Sequence, residues 1–160
     1  MDYAFGVGSA DQAASAAKSE GDYYRLHEME YIVAQTVNNP EYGGETLWLL
    51  CGDMNSRSRR DNWLYGYAEQ STHFLSHDFV AAQTDLVDLL SDCYAPRSVM
   101  ATTSGLARLD FVYASPAMRS RVERSATLID SWCMPVKNGN ARDWLYPSDH
   151  RPLLIDFDMK

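Results

Sequence analysis

Three short apolar runs set the frame for this chain: Thr46 to Cys51 (TLWLLC), Leu109 to Tyr113 (LDFVY) and Leu153 to Phe157 (LLIDF). Continuous apolar runs of this length, bounded by turn residues, mark strands of a packed sheet, and the first reads as a strand buried on both faces. Gly52 lets the backbone turn after the first run. Ser115-Pro116 stops the second, because proline cannot continue a ladder.

Helical patterning lies between and before these strands. From Asp22, the residues Tyr23, Leu26, Met29, Tyr31, Ile32, Val33 and Val37 recur at spacings of three and four, and Asn38-Asn39-Pro40 closes the run, which predicts a helix with one apolar face. Tyr42-Gly43-Gly44 reads as a turn. Arg57 to His77 is polar and aromatic without a clear period, predicting loop and irregular helix. Asp78 to Leu90 suits a short helix or two helical turns, and Val122 to Ile129 an edge strand. Residues 1–21 include the small, polar stretch Gly6 to Gly21 and read as a mobile entry segment, with residues 22–160 forming one domain. The fold class is α/β in the broad sense (α+β), with a mixed or antiparallel sheet.

Composition narrows the function classes. With 14 Lys+Arg against 22 Asp+Glu the formal charge is −8, which disfavours a broad basic surface for long nucleic acid but leaves room for a compact phosphate ester held at a metal. Cys51, Cys93 and Cys133 are odd in number and widely spaced, suggesting neither a disulfide framework nor a cysteine-rich zinc site. No apolar stretch is long enough to cross a bilayer and no secretory signal opens the chain, so a soluble protein without a transmembrane segment is expected, its compartment unassigned.

Ionisable residues sit at the strand ends, where α/β scaffolds usually place their chemistry. In Leu49-Leu50-Cys51-Gly52-Asp53-Met54-Asn55-Ser56 a carboxylate and a carboxamide stand two apart. On an extended backbone Asp53 and Asn55 would point to one side; an Asx-rich turn is the other reading. In Arg108-Leu109-Asp110-Phe111-Val112-Tyr113, Asp110 is a lone carboxylate in an apolar strand. It should face a histidine or a cation, unless it lies at an edge facing water. Pro147-Ser148-Asp149-His150-Arg151-Pro152 places a carboxylate and an imidazole side by side in a turn before the last strand.

GDMNS, then RLDFVYAS, then SDHRP before a C-terminal strand, in that order, resemble the C-terminal half of the endonuclease/exonuclease/phosphatase superfamily, which includes DNase I, abasic-site endonucleases, inositol-polyphosphate 5-phosphatases and neutral sphingomyelinases. The resemblance runs from about Asp22 to Lys160. It implies half of a DNase I-like β-sandwich flanked by helices, and a metal-dependent hydrolase of phosphate esters: a phosphodiesterase, nuclease or phosphatase. Asp53 would activate or orient the attacking water, and Asn55 would fix that water and a phosphoryl oxygen. Asp149 would contribute to a Mg²⁺ site that Mn²⁺ could also fill. His150 would stabilise the phosphoryl group, oriented by Asp110. A hard dication takes oxygen ligands, and a carboxylate beside an imidazole fixes its tautomer, so the chemistry agrees with those roles.

Family members also carry an Asn, a metal-binding Glu and a central His in an earlier half. None is evident here, and His27 reads as an ordinary helix residue. The chain is therefore expected to be the later part of a larger enzyme, with an unpartnered sheet face that drives a homodimer or a swapped assembly. A catalytically incomplete binding or self-assembly module is the alternative. His73-x-x-x-His77 has helical metal-ligand spacing but no third ligand near in sequence. Ser148-Asp149-His150 holds triad residue types, yet neighbours in a turn cannot hydrogen-bond in series. The basic cluster of Arg57, Ser58, Arg59 and Arg60 fits a solvated loop or phosphate capture. Trp48, Trp63, Trp132 and Trp144 read as packing rather than a base-stacking platform.

Overall fold

A computed structural model describes residues 19–103, 107–122, 127–128, 148 and 150–158, which form an α+β arrangement of short helices and small antiparallel sheets. Two compact units are present. Among the described residues, one is built from 19–46 together with Met54–Leu86; the other takes Leu47–Asp53 and the described residues from Val87 onward.

In the first unit, helix α1 (Ser19–Gln35) packs on helix α3 (Leu75–Gln83) and on the 3₁₀ turn Thr72–Phe74. The short helix α2 (Asn62–Tyr65) lies between them in sequence, entered through the 3₁₀ turn Arg59–Asp61 and closed by Gly66 at φ 69°, a left-handed position that glycine occupies without penalty. The helix predicted from Asp22 begins earlier, at Ser19, so Ser19–Gly21 are helical rather than part of an entry segment; residues 1–18 lie outside the described residues. Its buried stripe is Asp22, Met29 and Val33. Tyr23 and Tyr31, placed on the apolar face by spacing, are instead exposed. A 100° step per residue sets Tyr31 some two steps round from Met29, and the phenol tip of tyrosine tolerates water. Beyond Gln35 the chain turns, and Asn39 caps the 3₁₀ turn Pro40–Tyr42 by accepting from the Glu41 N–H at 3.0 Å.

The second unit holds a three-stranded antiparallel sheet in the order β1 (Leu49–Asp53), β3 (Asp110–Ala114), β2 (Val87–Asp88). Strand β3 is central and covered on both faces. Phe111 and Tyr113 stack on one side, their ring centroids 6.0 Å apart. On the other, Val112 and Ala114 meet Leu89, Met118, Ile155 and Phe157. Beyond Ala114, Ser115 caps helix α5 (Pro116–Arg119) by accepting from the Met118 N–H, with Pro116 at the first helical position.

Two sequence expectations need correction here. The first apolar run is shifted to Leu49–Asp53, and it is not buried on both faces: Leu49 is 41% exposed, because among the described residues β1 borders the sheet and pairs only with β3. Gly52 accordingly lies inside the strand, opposite Phe111, and the turn comes later. The segment Asp78 to Leu90 is not one helix. Thr84 leaves α3 with extended backbone, its hydroxyl donating to the Val80 carbonyl at 2.7 Å and accepting from the Leu86 N–H at 3.2 Å. Asp88 then caps the next helix, α4 (Leu89–Cys93). Two short strands, β4 (Thr127–Leu128) and β5 (Leu153–Leu154), pair antiparallel, and Val122 bridges Phe157. The rest of the predicted Val122–Ile129 strand lies outside the described residues.

Candidate active site

Asp110 opens β3, and its backbone partner across the ladder is Asp53, the last residue of β1. Directly opposed residues of an antiparallel pair share a face, with Cβ atoms about 4.5–5.5 Å apart, so the register alone sets two carboxylates side by side at one end of the sheet. His150 completes the group. Its Nδ1 lies 2.7 Å from Asp110 Oδ2, with the imidazole 30% and the carboxylate 23% exposed. An ionised carboxylate can only accept, so Nδ1 carries the proton, and Asp110 fixes the tautomer of the ring. The arrangement sets an oriented imidazole and a second carboxylate at the same end of the sheet.

The chain reaches this geometry through local devices. His150 sits in a turn closed by its own N–H donating to Ser148 Oγ at 3.0 Å, and it forms an isolated antiparallel bridge with Thr103. Thr102, wholly buried, accepts the N–H groups of Leu109 and Asp110 on its hydroxyl at 2.9 and 3.0 Å. Sequence reasoning missed both threonines, since nothing in Ala101-Thr102-Thr103 distinguishes them from an ordinary polar turn.

Of the residues singled out from sequence, the structure joins Asp110 to His150 by a hydrogen bond and pairs Asp110 with Asp53 across the ladder. Asn55 stands two residues beyond Asp53, with φ 46°, a left-handed conformation that Asn tolerates. The strand ends at Asp53, so the unbroken extended backbone that would aim Asp53 and Asn55 to one side is absent. Asp149 lies outside the described residues. Among the described residues no three His, Cys, Asp or Glu side chains are grouped to hold a metal ion.

The other candidates resolve into structure. His73 Nδ1 lies 2.9 Å from Asp22 Oδ2, and the buried Asp22 also accepts from Thr72 Oγ1 at 2.7 Å and Arg25 Nη2 at 2.6 Å, a knot that ties α1 to the Thr72–Phe74 turn. Arg59 of the basic cluster donates its Nε to both oxygens of Asp78, and its Nη1 to the Glu69 carbonyl at 2.6 Å, while stacking over Phe74. His27 is exposed beside Glu30. Compared with known proteins, the chain matches no protein-family model, no curated protein and no solved structure. No helix among the described residues is long and apolar enough to cross a membrane.

Proposed function

We propose that the chain carries the later half of a metal-dependent phosphoesterase site, of the kind found in the endonuclease/exonuclease/phosphatase superfamily. The observation that supports this most is the Asp110–His150 hydrogen bond formed opposite Asp53 across the β1–β3 ladder. In this reading Asp53 orients the attacking water, and His150, held in one tautomer by Asp110, stabilises the phosphoryl oxygen or shares a proton with it through Nε2. Asp149 contributes an oxygen ligand for Mg²⁺, or Mn²⁺ in its place; when bound, such an ion would offset charge on the phosphoryl oxygens. The substrate class is a phosphate ester, with small or lipid-linked esters favoured over duplex DNA by the net charge of −8.

The test is calorimetric titration of Mg²⁺ and Mn²⁺ beside hydrolysis of bis-p-nitrophenyl phosphate, in wild type, Asp149→Ala and His150→Ala. Metal-dependent turnover lost in both variants, with binding heat lost in Asp149→Ala, is the expected result. Turnover indifferent to both substitutions would overturn it.

One feature favours the alternative, a self-assembling module. Leu49 in β1 and Leu47 just before it are 41% and 40% exposed, and β1 borders the sheet among the described residues. A second copy of the chain covering them would remove that apolar area from water at about 25 cal/mol per Å², and sedimentation would read the outcome.

A further inference from the structure

We propose that Thr102 is a positioning residue for the Asp110–His150 pair, holding both partners from one buried point. The geometry stands by itself; only the catalytic consequence rests on the phosphoesterase reading above. Asp110 and His150 are 40 residues apart in sequence, so their 2.7 Å contact needs a common reference. The described structure supplies one in Ala101–Thr103.

The Thr102 hydroxyl accepts the N–H groups of Leu109 and Asp110, at 2.9 and 3.0 Å, and so fixes where β3 begins and where the Asp110 side chain leaves the backbone. Its carbonyl accepts the N–H of Arg151, the residue after His150, at 2.7 Å. The neighbours reinforce both arms. Thr102 and Thr103 N–H groups donate to the Ala107 carbonyl at 2.9 and 3.0 Å, Thr103 bridges His150, and Arg151 Nη1 donates to the Ala101 carbonyl at 2.7 Å. Thr102 is 0% exposed, so water cannot take over its acceptor role without opening the unit.

Valine has nearly the shape of threonine and cannot accept a hydrogen bond. Thr102→Val therefore leaves two backbone donors without their acceptor and releases the start of β3, whereas Thr102→Ser keeps the oxygen. Hydrogen bonds weaken steeply as their angle degrades, so a small shift of Asp110 loosens His150. The decisive experiment is imidazole ¹H–¹⁵N spectroscopy of the whole chain, which reads the His150 Nδ1–H directly and needs no activity. His73, whose Nδ1 is held by Asp22, is the internal control. Metal-dependent hydrolysis of bis-p-nitrophenyl phosphate is the second readout.

The expected result is a folded Thr102→Val protein in which the His150 Nδ1–H signal is lost and that of His73 is kept. Its kcat falls about 10- to 100-fold with little change in KM, and Thr102→Ser stays near wild type in both. If wild type shows no turnover, the phosphoesterase reading falls and the spectrum alone decides the positioning role. An unchanged His150 signal in Thr102→Val would overturn the proposal, as would equal damage in Thr102→Ser. Should the valine variant not fold, Thr102→Ala is read in the same way, and unfolding of both would assign Thr102 to folding rather than to positioning.

Discussion

Replacing Asp88 by alanine should destabilise the second unit more than replacing the arginine it binds, and removing both should be milder than removing Asp88 alone. Arg108 is 1% exposed; its Nη1 donates to Asp88 Oδ2 at 2.7 Å, and its guanidinium lies 4.2 Å from the centroid of the Phe111 ring. Asp88 is 14% exposed, and besides Arg108 it accepts from the Ser91 hydroxyl at 2.6 Å and, as the cap of α4, from the Ser91 N–H at 3.2 Å. Arginine cannot shed its proton, so Asp88→Ala takes a carboxylate away from a buried cation where water does not follow. Losing one partner of a buried pair together with an N-cap costs roughly 4 kcal/mol. Arg108→Met leaves a partly hydrated carboxylate that keeps Ser91, and a flexible side chain that still packs on Phe111, for about 1–3 kcal/mol. In the double variant the buried cation is removed as well, which should return about 1–2 kcal/mol relative to Asp88→Ala. Hydrogen exchange at the β3 amides reads this unit by itself, with urea denaturation alongside. A double variant no more stable than Asp88→Ala would refute the reasoning, because the loss would then come from the cap and not from the buried charge.

Asp22→Ala should cost the first unit about 3 kcal/mol, since a buried carboxylate with three donors is removed, and exchange protection in α1 and the Thr72–Phe74 turn should fall together. Asp110→Asn should preserve the sheet but release the tautomer of His150, lowering metal-dependent turnover by about a hundredfold or more, with little change in thermal midpoint. Leu49→Lys should leave the fold intact and shift any self-association seen by sedimentation toward monomer; an unchanged dimer would place the interface elsewhere.

What could be read from the sequence follows how local each signal is. Strand β3 was legible because its apolar run, its single carboxylate and its Ser-Pro stop lie within a few residues. The demand that Asp110 find a partner is a statement about desolvation, which no fold escapes. Strand β1 was legible as a strand but not as an exposed one, since burial depends on what lies beside it and TLWLLC looks the same at a border or a centre. The break at Thr84 hides in a helix-like pattern, because the hydroxyl that ends α3 by bonding Val80 and Leu86 leaves no mark in hydrophobic spacing. Thr102 is the extreme case: its partners come from Asp110, eight residues on, and from Arg151, far beyond.

Asp22–His73 and Asp110–His150 are built from the same residue types, and their surroundings differ. Asp22 is 3% exposed, and both its oxygens are taken, Oδ1 by Arg25 and Oδ2 by Thr72 and His73. Its energy goes into holding a helix against a turn, and moving a proton at His73 would disturb that joint. Asp110 is 23% exposed, anchors its imidazole through Oδ2, and has its backbone fixed independently by Thr102, while a second carboxylate, Asp53, stands opposite on the ladder. There the fold fixes the ring without burying it, so that a change in the protonation of His150 need not loosen the strand that carries its partner. Separation of anchoring from titration is what an oriented base or phosphoryl stabiliser requires. The same residue types in the first unit lack it.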